Sequence, residues 1–410
     1  MTMPRLNPES VLFAVFLGAL AAFPPISIDL ALPALVEIER GLGSTGSQAG
    51  LTLSLFMAGF AAGPVVYGPL SDSRGRKPVL LLGLVLFTAG GIASALAPSI
   101  YALLGARLLQ GLGAGAGMTI AMAMVRDLFA GAAMQRRLAA ITVVANVAPI
   151  VAPSLGVGLL AAAGWRGIYA VMGVLGLVVA LTTRLSLEET HAHATRQAVP
   201  LREAWGRVLS HRHVAGHILL NGLAFGWMFA YVAGSPLLLL HVLHVQPIVY
   251  AAMFATTGAA IVAGATLNGW FGSRGMGSRG LLAVAIGMAL VASCALSGLV
   301  FAHQVHLFTA MPLLVASTFA FGLAAPSAAH GALDPLPKLA GVAGGLLASV
   351  QMLFGALSSS LVAVLYPALG IFAMSSVMAA SALLAGAVWL ALRPGRAPMK
   401  QIRTDSQLMG

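Results

Sequence analysis

Long apolar segments, separated by short polar loops, recur along the whole of this chain. Runs of roughly 17–26 apolar residues are long enough for helices that cross the ~30 Å hydrocarbon core of a membrane. The composition agrees, because a chain with 59% hydrophobic and 8% charged residues has too few charges to cover a soluble surface. The sequence therefore predicts an all-α polytopic membrane protein with twelve transmembrane helices. The predicted spans are 11–36, 47–70, 79–97, 101–125, 138–161, 167–183, 213–238, 248–271, 280–302, 306–330, 340–365 and 369–392.

One long polar connection divides these spans into two sets of six. The predicted organisation is an N-terminal six-helix half (1–183), a linker (184–212), a C-terminal six-helix half (213–392) and a tail (393–410). The first apolar segment, from Val11, is too long for the core of a signal peptide, so we interpret it as an uncleaved span.

The positive charges are distributed unevenly between the two sides of the predicted spans. All but three of the 22 Lys and Arg residues fall in loops and tails on the side of the N-terminus; Arg40 and Arg166 lie on the other side, and Arg107 lies within span 4. Cytoplasmic loops carry the excess of Lys and Arg, so both termini are predicted to be cytoplasmic. The net charge of +11 is spread over short loops, which favours membrane orientation over a nucleic-acid partner. The single cysteine, Cys294, excludes an internal disulfide.

The loop between spans 2 and 3 carries a dense polar motif. It reads Gly-Pro-Leu-Ser-Asp-Ser-Arg-Gly-Arg-Lys-Pro from Gly68 to Pro78. The helix dipole disfavours Asp72 at the end of span 2, so this carboxylate needs a partner, and Gly75 permits the positive φ of a sharp reversal. The candidate partners of Asp72 are Arg74, Arg76 and Lys77. One interpretation is an ordinary cation-rich turn.

The order of residues in this loop resembles the loop between spans 2 and 3 of the major facilitator superfamily. The resemblance implies two six-helix halves with a substrate site between them near mid-membrane. It also implies that the loop is a latch of the outward-facing state, in which Asp72 meets the N-terminal end of span 11.

Two charged residues are predicted to lie inside the membrane at similar depth. Asp29 lies eight residues before Glu37 and Arg107 eight residues after Ser99, which puts each about 12 Å below the outer surface. Burying a charge at the membrane centre costs roughly 3 kcal/mol, so we expect Asp29 to face a cavity or a partner, and Arg107 is the candidate partner. The pair is either a structural ion pair or a site at which Asp29 exchanges a proton as substrate binds and leaves.

Three segments resemble one branch of that superfamily, the Bcr/CflA-type drug:proton antiporters. The segments are Ser27–Pro33, Arg107–Gly111 and Val125–Phe129. The resemblance implies proton coupling through Asp29 and Arg107. It also implies a cytoplasmic gate or orientation signal at Arg126 and Asp127.

Span 5 carries two prolines four residues apart, Pro149 and Pro153, followed by Gly156. Prolines at this spacing leave carbonyl groups unpaired and bend a helix, and such a bend can be a packing kink without further meaning. The run also resembles the antiporter motif of the superfamily, although Ala152 and Val157 stand where that motif has glycines.

The remaining polar, aromatic and methionine side chains in the spans are candidates for an amphipathic substrate cavity. Most such groups serve helix–helix packing. The candidates are Phe23, Gln110, Met124, Asn146, Asn221, Trp227 and Tyr231, together with Asn268, His330 and Gln351.

The predicted function is therefore proton-coupled efflux of small amphipathic drugs or antibiotics across the bacterial inner membrane by alternating access. The alternative is a symporter or facilitator of a small metabolite. We expect a monomer in the lipid bilayer whose partners are substrate and protons, with no nucleic acid, cofactor or metal. An enzyme is not expected, because the spans carry no catalytic cluster of His, Asp or Glu. Transport driven by ATP is not expected either, because the chain has no phosphate-binding Gly-Lys-Ser/Thr loop and no soluble domain to hold ATP.

Overall fold

The computed structural model describes residues 6–190, 201–336 and 340–392. Every regular element in these ranges is helical, and eleven segments are long and apolar enough to cross a membrane. The helices are α1 (Val11–Asp29), α2 (Leu35–Leu42), α3 (Gly46–Arg74), α4 (Arg76–Ala95), α5 (Ile100–Leu128), α6 (Gly131–Ser186), α7 (Leu201–Ser210), α8 (Arg212–Pro236), α9 (Pro247–Ser273), α10 (Ser278–Phe301), α11 (Leu307–Leu333), α12 (Ala340–Leu369) and α13 (Phe372–Ala391).

Helix α6 contains two spans rather than one. Its 56 residues would reach about 84 Å if they were continuous, far more than the thickness of a membrane. At Gly164 the backbone turns to φ 65° and ψ −177°, outside the helical region. The chain reverses there between two arms, α6a (131–163) and α6b (165–186). The prediction of twelve spans in an all-α membrane fold is thus confirmed.

The first span differs from its prediction. The sequence predicted one helix over 11–36, but α1 ends at Asp29 and is followed by a 3-10 turn, Leu32–Ala34, and then by α2. Pro33 explains the end, since it has no N–H to donate to the Asp29 carbonyl. Asp29 consequently lies at the C-terminal end of a helix and not in the middle of one.

Described basic side chains cluster at one end of the bundle, which we call the basic end. Contacts between loops establish this end: the Leu6 N–H donates to the Ser186 carbonyl (2.9 Å), and the Arg212 guanidinium donates to the Ala391 carbonyl (3.1 Å). Two arginines, Arg40 and Arg166, lie at the opposite, or far, end. The cations at the basic end are Arg74, Arg76, Lys77, Arg126, Arg136, Arg137, Arg184, Arg207, Arg212, Arg274 and Arg279.

Glycines allow close helix contacts at equivalent places in the two halves. A methyl group at Gly111 of α5 would overlap the backbone of Phe56 in α3. In the second half, a methyl group at Gly322 of α11 would likewise overlap the backbone of Ile261 in α9. Van der Waals packing holds membrane helices together, so these glycines bring the second and fourth spans of each half into backbone contact.

The halves meet along α3 with α12 and α6a with α9. The Ser47 hydroxyl donates to the Ala363 carbonyl (2.5 Å), and the Ser54 hydroxyl donates to the Ser359 hydroxyl (2.8 Å). At the far end, the Glu39 carboxylate lies 3.1 Å from the His241 ring. These contacts connect the two halves toward the far end.

The predicted linker contains the short helix α7. Its Val208 is fully buried in a small apolar cluster with Val214, Ile218, Ala332 and Ala343. This packing attaches α7 to the basic end of the second half.

Candidate functional site

A cavity of about 410 Å³ lies between the two halves. Its volume is in the range of small-molecule sites. From the first half it is lined by α1, α3, α5 and α6a, and from the second half by α8, α9, α11 and α12. Aromatic rings and methionines dominate the wall: Phe60, Met118, Phe225, Met228, Phe229, Phe254, Phe321 and Met352.

Asp29 is the one charged side chain among the residues that line this cavity. Its side chain is 5% exposed, because the end of α1 lies inside the bundle. On the wall formed by the second half, Tyr231 and Thr257 also line the cavity, and their hydroxyls are hydrogen-bonded to each other at 2.8 Å. A carboxylate in so apolar a wall requires a proton or a cationic partner when the cavity excludes water.

Arg107 does not pair with Asp29, contrary to the expectation from their equal depth. Among the described ion pairs, none joins these two side chains within 4.0 Å. The Arg107 guanidinium donates to the Ser27 carbonyl (2.9 Å) and to the Gln110 side-chain oxygen (2.5 Å). The Ser27 carbonyl is free to accept because the Ala31 N–H donates to Ile28 instead.

Two aromatic rings complete the surroundings of Arg107. Its guanidinium carbon lies 4.4 Å from the centre of the Phe56 ring and 5.3 Å from that of Tyr169. A buried guanidinium over ring faces gains cation–π attraction. Arg107 therefore lies inside the first half, separated from the cavity by the last turn of α1.

The structure places few of the predicted cavity residues in the cavity wall. Tyr231 lines it. Asn221 lies directly behind the wall and donates to Gln351, which does line it (3.0 Å). The side chain of Asn146 is outside those that the structure describes.

Four other predicted cavity residues pack within their own halves. The Phe23 ring stacks on Phe87 with centroids 4.5 Å apart, Gln110 binds Arg107, and Met124 and Trp227 are fully buried. Trp227 is not among the residues that line the cavity. Phe225, Met228, Phe229 and Val232, at helical spacing on α8, line it instead.

Sequence reasoning missed the methionines and phenylalanines of the wall. The spacing i, i+3, i+4, i+7 on α8 was a usable signal, because it marks one face of a helix. This spacing did not reveal which face of α8 meets the cavity, because α8 is apolar all round and nearly all of its apolar stretch is buried.

The two prolines and the glycine of span 5 lie beside the end of α1. Pro149 lines the cavity, and Pro153 is buried in α6a. A methyl group at Gly156 would overlap the carbonyl oxygen of Leu30, the residue after Asp29. This helix thus supports the backbone that positions Asp29.

The loop between α3 and α4 is held by the Arg76 side chain. Gly75 adopts φ 100°, as its place in a sharp reversal predicted. The Arg76 guanidinium donates to Asp127 (2.8 and 3.3 Å), to Asp72 (2.5 Å) and to the Ser71 hydroxyl (2.7 Å). Of the three cations considered for Asp72, Arg76 is the partner.

The other members of the motif have separate positions. At the end of α6b, the Lys77 side chain donates to the carbonyls of Arg184 (3.1 Å) and Leu187 (2.6 Å), and the Lys77 backbone N–H donates to Glu189 (3.2 Å). Gly68 faces open space, and Arg74 is exposed. Arg126 donates to the Met122 carbonyl of its own helix (3.2 Å). Asp72 was expected to meet the N-terminal end of α12 in the outward-facing state. The segment that precedes α12, residues 337–339, lies outside the described residues.

Comparisons with known proteins agree with this architecture. A family model described as Major Facilitator Superfamily matches residues 11–359. An uncharacterized MFS-type transporter of Bacillus subtilis, YdgK, is 32% identical over 87% of this chain and 89% of its own length. A bicyclomycin resistance protein homolog of Haemophilus influenzae is 28% identical over the same shares. The multidrug resistance protein MdtL of Shigella dysenteriae is 27% identical over 83% of this chain and 85% of its own length.

Solved structures show the same fold at low identity. A bacterial homolog of the human lysosomal transporter Spinster aligns with a TM-score of 0.72 and 15% identity, over 94% of this chain and 97% of that one. A D-xylose-proton symporter aligns with a TM-score of 0.68 and 16% identity, over 92% of this chain and 97% of that one.

Proposed function

Because this chain belongs to the major facilitator superfamily, and its relatives are those of the Bcr/CflA type, we propose that it exports small amphipathic drugs or antibiotics in exchange for protons. The observation that carries the proposal is the cavity between the halves. It combines an aromatic and methionine-rich wall with a single carboxylate, Asp29. Such a wall suits apolar, adaptable contacts with varied ligands.

Asp29 is the proton-coupling group in this proposal. While the cavity is open to the cytoplasm, substrate enters and the Asp29 carboxyl loses its proton. After the halves reorient, substrate leaves to the outside and Asp29 takes up a proton there. The far-end contacts between the halves, such as Ser54 with Ser359, separate in that outward-open state. Arg107 supports this cycle by holding the Ser27 carbonyl at the end of α1.

The proposed location is the bacterial inner membrane, with the basic end in the cytoplasm. The arrangement of described cations supports this orientation, since cytoplasmic loops are rich in Lys and Arg. The loop from Gly68 to Lys77, with Arg126 and Asp127, then lies on the cytoplasmic side as the latch and gate of the outward-facing state. In that state Asp72 leaves Arg76 for the N-terminal end of α12.

A sugar or organic-acid carrier is the weaker alternative. Among the described residues that line the cavity, only Asp29, Tyr231, Thr257 and Gln351 have polar side chains. A sugar with many hydroxyls needs more hydrogen-bond partners than these four.

Transport by purified protein in liposomes tests the proposal. With a pH gradient imposed, the native chain should move amphipathic drugs against the proton flow, and drug addition should release protons from the protein. Asp29→Asn should lose both drug-driven proton release and gradient-driven transport. Asp334→Asn, the same change at an exposed position on the basic end, should keep both. An Asp29→Asn variant that retained proton-dependent transport would contradict the role of Asp29, and uptake of a labelled metabolite without drug transport would contradict export.

A further inference from the structure

The cavity has a second polar position, at the end away from Asp29. Gln351 of α12 lines the cavity there, and Asn221 of α8 stands behind it with its side chain 2% exposed. The Asn221 amide nitrogen donates to the Gln351 oxygen at 3.0 Å. In this hydrogen bond the oxygen of the Gln351 amide is the acceptor, and the nitrogen of that amide remains for other partners.

That nitrogen carries two donor hydrogens in an apolar wall. Among the described residues, none accepts a hydrogen bond from the Gln351 amide nitrogen. Phenylalanine and methionine side chains surround this part of the cavity and accept no strong hydrogen bonds: Phe60, Phe225, Phe321 and Met352. Gln351 is partly exposed to the cavity, and its amide nitrogen is not among the buried polar atoms that lack a partner, so an oxygen acceptor on a ligand can reach it and form a hydrogen bond.

Helix α8 carries a residue at each of the two polar positions, so the spacing of these residues gives the separation of the positions along the helix axis. Asn221 and Tyr231 are ten residues apart on this helix, which corresponds to about 15 Å along its axis. Tyr231 and its partner Thr257 line the cavity with Asp29, and Asn221 supports Gln351. Phe225 and Phe229, whose ring centroids are 4.9 Å apart, lie between the two positions.

The separation of the two polar positions favours an elongated substrate. The cavity between the halves has a volume of about 410 Å³. A globular ligand of the same volume would not reach both polar positions.

We propose that Gln351, oriented by Asn221, is a specificity site for a neutral carbonyl group at one end of an elongated substrate whose other end carries a protonatable amine facing Asp29. The proposal rests on the proposed export function and narrows its substrate class. The aromatic wall contacts the body of the molecule, and Gln351 donates to the carbonyl oxygen. The ammonium form of the amine pairs with the Asp29 carboxylate after the Asp29 proton has left to the cytoplasm.

Two matched probes test this substrate class on the purified full chain in detergent. Both are tertiary amines on the same biphenyl body; one ends in a primary carboxamide and the other in an isopropyl group of the same shape. Isothermal titration calorimetry should show that the native chain binds the carboxamide probe roughly tenfold more tightly. Gln351→Met should bind both probes equally, at the affinity of the isopropyl probe. Gln246→Met, the same change at an exposed position before α9, should keep the preference.

Each other outcome counts against the proposal. Equal binding of the two probes by the native chain would mean that water satisfies Gln351 as well as a carbonyl does. A preference that survived Gln351→Met would place the carbonyl elsewhere. If Gln351→Met does not fold, Asn221→Leu leaves Gln351 in place without its orienting partner and should reduce the preference. A native chain that binds neither probe but confers drug tolerance would overturn this substrate class and leave the export function standing. One that does neither would contradict both.

Discussion

Asp29 and Arg107 occupy opposite sides of the last turn of α1. Arg107 binds the carbonyl of Ser27 from within the first half, whereas the carboxylate of Asp29, two residues further, faces the cavity between the halves. The acid is therefore accessible to substrate and protons, and the guanidinium fixes the backbone that presents it. This arrangement separates the group that exchanges a proton from the group that positions it.

A double-mutant cycle distinguishes this arrangement from an ion pair. Arg107→Met should lower the free energy of unfolding by about 1–3 kcal/mol, because the buried Ser27 carbonyl loses its donor. The coupling energy between Arg107→Met and Asp29→Asn should stay below about 1 kcal/mol, because the two side chains share no contact and interact only through the backbone of α1. Denaturant unfolding in mixed micelles measures all four proteins. A coupling energy above about 1.5 kcal/mol would mean that the two charges interact directly.

The contact of Gly156 with Leu30 predicts that two glycines of α6a, Gly156 and Gly158, differ in how well they tolerate a methyl group. Gly156→Ala introduces a methyl group that overlaps the Leu30 carbonyl oxygen, so the end of α1 and Asp29 must shift. We expect a loss of about 1–3 kcal/mol in stability, the usual cost of overpacking, and a fall in transport rate. Gly158→Ala in the same helix is the matched control, since a methyl group there would meet no atom within 4 Å. It should be neutral or stabilising by up to about 1 kcal/mol through helix propensity. Equal effects of the two substitutions would show that the contact with Leu30 is unimportant.

The contacts of the Arg76 side chain predict that replacing Arg76 lowers the stability of the protein, whereas replacing Arg74 does not. Its guanidinium binds Asp127, Asp72 and Ser71 with a fork of donors that a lysine cannot reproduce. Because Asp72 is about half exposed, we expect Arg76→Lys to cost about 1–3 kcal/mol, less than the loss of a fully buried pair. Arg74→Lys, at an exposed position two residues earlier, should change stability by less than about 0.5 kcal/mol. Thermal unfolding of the two variants compares them directly, and matching losses would contradict the network.

The length and spacing of apolar runs were enough to predict the fold. The loop between α3 and α4 was predictable because its features depend on residues that are close in sequence. Gly75 has its positive φ, and Arg76 is among the three partners proposed for Asp72. Pro33 was a usable signal for the end of α1 at Asp29, but the apolar run continues past Asp29, so the sequence predicted one longer helix. The rotation of each helix about its axis was not predictable. Equal depth suggested that Asp29 and Arg107 meet, although depth says nothing about which face of a helix carries a residue. The same uncertainty placed Trp227 in the cavity instead of Phe225 and Phe229.

The contact between Ser54 and Ser359 allows the halves to be locked. Their hydroxyl oxygens are 2.8 Å apart and both residues are buried, so paired cysteines at these positions are close enough to form a disulfide. In a Cys294→Ser background, the Ser54→Cys/Ser359→Cys variant should lose drug transport on oxidation and regain it on reduction. Alternating access requires α3 and α12 to separate at this level in one state. Each single-cysteine variant should transport normally under both conditions, which separates locking from oxidative damage. Full transport by the oxidised double variant, with the cross-link verified by mass spectrometry, would show that the halves do not separate there.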